Sequence, residues 1–190
     1  AGAAAGLVAS GAVPLDAASR RAKLVHVEID GEDPDIALVD AVAVADRFVG
    51  SLELFDPATM RVAVLTRAEP AAIGFAAVGG LLEPVSDADE GGLLVRFASP
   101  GETPALVLHA PTAPGHYADL PIAEVRRLAS DEPVTVRGLV LMAFDGERKR
   151  RVLDGVEATL RVRRDGPRVV DVRAVLQAAA ASRHFVRSSG

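Results

Sequence analysis

A tight turn carrying two carboxylates is where this chain first suggests chemistry. In VRGLVLMAFDGERKRRV, residues 136–152, an apolar run climbs to Ala143-Phe144, turns through Asp145-Gly146 and leaves as a strongly charged arm. Asp-Gly between two strand-like runs signals a hairpin, because Gly tolerates the positive φ that a tight turn requires. The turn presents Asp145 and Glu147 at the tip of a sheet, where a carboxylate can accept a proton or hold a cation. Turn chemistry alone also selects these residue types. The cations behind them, Arg148, Lys149, Arg150 and Arg151, read either as an attraction for a phosphate-bearing ligand or as a charged edge strand that deters aggregation. Asp40, inside the apolar LVDAV, is a carboxylate that is costly there unless partnered. A site residue and an Asp bonded to a backbone turn both fit that demand. Gly74, Gly79 and Gly80 in AAIGFAAVGG permit close backbone approach, to a phosphate or to a packed neighbour, and Gly79-Gly80 reads as the end of a short helix.

Several chemistries are excluded by what is missing. The 190 residues contain no Cys, no Trp and a single Tyr, Tyr117. Disulfides and thiolate metal sites are therefore ruled out, and an aromatic platform for bases or sugars is not expected. The four histidines, His26, His109, His116 and His184, show no metal-ligand spacing, and no metal site is expected. Neither a Gly-x-Ser-x-Gly elbow nor a phosphate loop ending in Gly-Lys-Ser/Thr occurs. A net charge of −5 argues against nucleic acid as a partner. No apolar run approaches the roughly 18 residues of a membrane span, so no membrane partner is expected. The absence of Cys fits the cytoplasmic location expected for it. A content of 49% hydrophobic and 25% charged residues suits a folded domain with a sizeable core.

The elements that must position these groups read as short strands. KLVHVEI (23–29) alternates as a half-buried strand does, and IALVDAVAV (36–44) is continuously apolar, as a more buried one is. Further strands are expected at Phe48–Leu54, RVAVLT (61–66), LLVRF (93–97), ALVLHA (105–110), ADLPIAEV (118–125), the two arms of the Asp-Gly hairpin, EATLRVRR (157–164) and RVVDV (168–172). A helix capped by Asp56 competes with the strand at 61–66. Residues 71–82 read as a short helix, and Ala174–Ala181 as another. Many short strands without βαβ alternation predict a mainly β fold, a β-sandwich with a few short helices, with α+β as the alternative. The Ala-rich segment 1–12 and the polar connection 13–22 read as a helix and linker from the tail of a missing upstream domain. The sandwich is expected over 23–181 and a flexible tail over 182–190.

Read together, two segments resemble the carboxy-terminal domain of the NAD kinase and diacylglycerol kinase-like superfamily. These are VAVLTRAEPAAIGFAAVGG (62–80) and the hairpin FDGE (144–147). The ordered patterns FVGS, DPATMR, LTRAEPAAIG, VGGLL, APTAPG, AFDGER and LRVRRDGPRVVDV look like the ATP-NAD kinase-like group of the acetoin-catabolism protein X type. The resemblance spans most of 23–181. It implies a β-sandwich of the NAD kinase C-terminal type, following an α/β domain that carries Gly-Gly-Asp-Gly. Neither Gly79-Gly80 nor Gly91-Gly92 is followed by Asp-Gly. Where NAD kinases place Thr and Ser hydroxyls, this chain has Pro70, Ala71 and Ala72.

The resemblance implies the acceptor-side domain of a kinase that moves a phosphoryl group from ATP to a hydroxyl-bearing small molecule, complete only with the upstream half. It implies Asp145 as the catalytic base, with Asp40, Gly74, Gly79 and Glu147 toward the substrate. ATP and Mg²⁺ are its cofactors, a nucleotide is among the candidate ligands, and a homo-oligomer is its assembly. The alternative is a non-catalytic module for small-molecule binding or oligomerisation.

Overall fold

The computed structural model describes residues 1–45, 56–113 and 115–186. The strand expected at Phe48–Leu54, with its FVGS motif, lies outside the described residues. The chain divides into two compact units, residues 23–164 and residues 1–22 together with 165–190.

The larger unit is mainly β and antiparallel. Its elements in order are β2 (Leu24–Ile29), β3 (Asp35–Ala37), β4 (Asp40–Val44), β5 (Met60–Leu65), α3 (Phe75–Leu82), β6 (Gly92–Phe97), β7 (Leu106–Ala113), β8 (His116–Leu128), β9 (Val134–Arg137), β10 (Val140–Phe144), β11 (Arg148–Val152) and β12 (Glu157–Arg163). Among the described residues they form a seven-stranded sheet, β11-β10-β4-β5-β6-β8-β7, and a four-stranded sheet, β3-β2-β12-β9. One core lies between the sheets, where Val25, Val27, Leu160 and Val162 meet Ala41, Ala43, Val64, Leu94 and Met142. The alternate residues of the same strands, Val42, Val44, Leu65, Leu93 and Val95, build a second core with Phe75 and Val78 of α3. The central strands are thus covered on both faces, which is why they read as unbroken apolar runs while β12 alternates.

Several expected boundaries move for physical reasons. The single strand expected at 36–44 is two strands, broken at Leu38-Val39, where the chain passes from the smaller sheet to the larger. Asp56 caps a turn, its Oδ1 accepting from Ala58 N–H at 3.0 Å, and the strand at 60–65 prevails over the competing helix. Gly79-Gly80 lies inside α3 and does not end it. The helix runs to Leu82 because these glycines are where it touches its neighbours.

The smaller unit comprises α1 (Gly2–Ala9), α2 (Leu15–Ala18), β1 (Ser19–Arg21), β13 (Arg168–Val170) and α4 (Val172–Ala181). Strands β1 and β13 pair antiparallel, so the stretch read as a polar connection holds regular structure. Asp171 caps α4 by accepting from Ala174 N–H at 3.0 Å, which ends the strand expected through 172 two residues early. Ala4, Leu7, Ala18, Val175 and Ala179 form the core of this unit. Beyond α4, His184 N–H returns to Ala179 O at 2.9 Å.

Candidate functional site

The Asp-Gly turn forms as its dipeptide demands. Glu147 N–H donates to Phe144 O at 3.1 Å, and the two residues between, Asp145 and Gly146, both have positive φ, 53° and 73°. That is the pattern of a type I′ turn, whose twist matches the flanking strands. β10 then pairs with β11 on one side and β4 on the other, with Phe144 opposite Ala41. One residue further along, Asp145 N–H donates to Asp40 O at 3.0 Å.

The Asp145 side chain turns back onto the break between β3 and β4. Its Oδ1 accepts from Val39 N–H at 2.7 Å and Leu38 N–H at 3.0 Å, and its Oδ2 from Leu38 N–H at 2.9 Å. Asp40 N–H approaches Oδ1 at 3.4 Å. From the other side Thr66, 3% exposed at the end of β5, donates its hydroxyl to Leu38 O at 2.9 Å and its N–H to Val39 O at 2.9 Å. The link is therefore satisfied in both donors and acceptors, as a half-buried irregular backbone must be. Leu38 and Val39 cannot continue the ladder because these two clamps hold their polar groups.

Asp40 is the second carboxylate of the pair. By strand alternation it continues the face of Val42 and Val44, which carries α3. Burial, with the nearby Asp145 charge adding to it, raises its carboxyl from 3.8 to about 6. Asp40 is half-buried and keeps some access to solvent. A carboxyl poised there exchanges a proton readily near neutral pH. Asp145 differs: its oxygens are already occupied by main-chain donors.

The charged arm holds the turn from outside. Arg148 bonds Asp35 and the Ile36 carbonyl and lies over the Phe144 ring, 5.7 Å from its centroid. Arg150 reaches Asp35 and Glu32 at 3.4 Å each. For Asp35, burial pushes the carboxyl up, but the Ile36 N–H and the Arg148 guanidinium outweigh it and hold it below its ordinary value. Two of the four cations read as phosphate lure or solvated edge thus fasten β11 to the segment before the link.

Glu147 is exposed on the turn beside Asp145. Gly74 precedes α3 with φ 69° and ψ −147°, a conformation open to glycine and strained for other residues. Gly79 and Gly80 are buried within α3: a Cβ on Gly79 would lie 2.3 Å from Leu65 Cδ1, and one on Gly80 2.3 Å from the Glu69 carbonyl carbon. Their smallness serves packing of α3 on the sheet and on the loop before it. The structure brings Asp40 and Asp145 together, sets Glu147 beside them, and puts the glycines in and before the helix on the Asp40 face. Thr66 and Asp35 were missed by sequence reasoning; a Thr closing an apolar strand and an Asp before one carry no signal of their long-range partners. Among the described residues no three Asp, Glu or His side chains are grouped to hold a metal ion, and no helix is long and apolar enough to cross a membrane.

The family model described as the acetoin catabolism protein X C-terminal domain matches residues 23–165. The chain is also 38% identical over 194 residues to the acetoin catabolism protein X of Cupriavidus necator, covering 98% of this chain and 53% of the relative. The chain spans about half the length of that curated relative.

Proposed function

Since the chain belongs to the acetoin catabolism protein X C-terminal domain family, we propose that it is the acceptor-side half of a phosphotransferase serving acetoin catabolism, with a small hydroxyl-bearing molecule as acceptor. The observation that carries this reading is the Asp40–Asp145 pair: one carboxyl at about 6, half-open to solvent, beside a second fixed by the backbone. The resemblance to the NAD kinase-like superfamily supports the reaction class, and the name of the Cupriavidus necator relative supports the metabolic setting.

In this reading Asp40 takes up the proton of the acceptor hydroxyl as its oxygen bonds to phosphorus, while the bond from phosphorus to the leaving phosphate oxygen breaks. Asp145 is the positioning residue: it holds the link that carries Asp40 and keeps that carboxyl's proton affinity high. Phosphoryl transfer needs only modest proton transfer, so placement of the hydroxyl is the larger contribution. ATP is the phosphoryl donor in this reading, and its binding falls to the α/β domain that the superfamily resemblance implies.

The test uses a full-length protein in which an upstream half joins this chain. ADP release is followed with ATP and a panel of small hydroxyl compounds, acetoin among them. Acceptor-dependent release is expected, with Asp40→Asn reducing it by about 10²-fold or more while leaving the melting temperature at pH 7.5 no lower. Equal turnover in Asp40→Asn would remove this carboxyl from the chemistry. The engagement of Gly79 and Gly80 in packing favours a second reading, a non-catalytic binding module; a ligand-dependent thermal shift without ADP release from any acceptor would select it.

A further inference from the structure

A second site stands at the other end of β4, away from Asp40. An open cavity of about 390 Å³ lies beside Ala45, where β9 leaves the smaller sheet and passes through Gly138-Leu139 into β10 of the larger. Three arginines from three strands are among its lining residues: Arg61 of β5, Arg96 of β6 and Arg137 of β9. Among the described residues no Asp or Glu lines it. Each head is steadied from outside the cavity. Arg61 Nη1 donates to Ala58 O at 3.0 Å and Met60 O at 2.8 Å, Arg96 Nη1 meets Glu102 at 2.7 Å, and Arg137 meets Glu157 at 2.7 Å. Arg96 also has Glu124 3.7 Å from its Nε. A guanidinium carries five N–H donors in a rigid fork, so these partners orient each head and still leave N–H groups over.

We infer that this cavity is a binding site for a phosphorylated small molecule, with the phosphate on Arg61, Arg96 and Arg137 and the organic remainder against Val62 and Leu139. A phosphate group offers up to two charges and three acceptor oxygens to donors arriving from three directions, which a monocarboxylate cannot match. The cavity exceeds what inorganic phosphate fills, and Leu139 is 46% exposed at its wall, an apolar surface for the ester's carbon part. The inference stands apart from the phosphotransferase reading, because it uses none of the residues of the Asp40–Asp145 pair.

The experiment is calorimetric titration of the full chain, at constant ionic strength, with inorganic phosphate, glycerol phosphate and acetate. Saturable one-site binding is expected for both phosphates, tighter for glycerol phosphate, with acetate at least tenfold weaker. Arg61→Gln with Arg137→Gln should weaken phosphate binding at least tenfold, and Arg173→Gln on α4 should leave it unchanged. Arg137 is 75% exposed, so Arg137→Gln alone is compatible with the fold and carries the test if the double variant fails to fold. Absence of saturable binding, equal affinity for acetate, or undiminished binding in the Arg137 variant would overturn the site.

Discussion

Asp145 and Asp40 face each other one residue past the end of the β4–β10 ladder, with Asp145 N–H donating to Asp40 O at 3.0 Å. The two carboxylates have opposite circumstances. That of Asp145 is spent on backbone N–H groups, while that of Asp40 is raised to about 6 by burial and by its neighbour.

Asp40 makes the protein's stability depend on pH in a stated direction. Its folded value lies above 3.8, so between pH 4 and 6 the folded state keeps a proton that the unfolded chain has released. Its contribution is most favourable below about pH 4, declines as pH rises to 6, and above 6 is a constant cost on the order of 3 kcal/mol. Asp40→Asn is therefore expected to be more stable than the parent above pH 6, with the difference shrinking toward zero near pH 4. Urea midpoints of the two proteins across that range check it, and a difference independent of pH would contradict it.

Asp145→Asn keeps a residue type that tolerates φ 53° while removing one oxygen and the charge from the clamp on Leu38 and Val39. A loss of about 1–2 kcal/mol is expected in denaturant unfolding at pH 7. The same variant should move the Asp40 titration downward, because the Asp145 charge helps raise it. Carbon-detected NMR titration of the Asp40 carboxyl reads this directly; an unmoved midpoint would show that burial acts alone.

Two glycines in helices should respond to Ala in opposite directions. Around Gly6 in α1 a Cβ meets nothing within 4 Å, so Gly6→Ala is expected to stabilise by about 0.5–1 kcal/mol. At Gly80 a Cβ would fall 2.3 Å from the Glu69 carbonyl carbon and 2.4 Å from Pro70 N, so Gly80→Ala should destabilise by about 1–3 kcal/mol. Melting temperatures of the pair decide it; a stabilised Gly80→Ala would mean that the loop yields.

Local chemistry was legible in the chain, and long-range closure was not. The hairpin could be read from Asp145-Gly146, and β12 from the alternation of Ala158, Leu160 and Val162. The acetoin-catabolism X resemblance came from motif order, and family membership bears it out. The break at Leu38-Val39 could not be read, since an apolar run has the same periodicity whether or not a distant carboxylate and a Thr hydroxyl seize two of its residues. Gly79-Gly80 resembled a helix end because glycine's scarcity inside helices is a local rule, overridden here by the closeness of Leu65 and Glu69. Asp40 and Asp145 were each nominated, but their opposition was invisible across the sequence between them.

That separation governs when the site comes into being. Every hydrogen bond joining Asp145 to the Leu38–Asp40 link closes at least 105 residues of chain. The Asp145-Gly146 turn can form within microseconds of collapse, whereas pairing over such a contour is among the slow steps of a β fold. A nascent or partly refolded chain thus carries the turn long before it carries the carboxylate pair. Proton exchange at Asp40 near neutral pH is a property that only the fully closed sheet possesses.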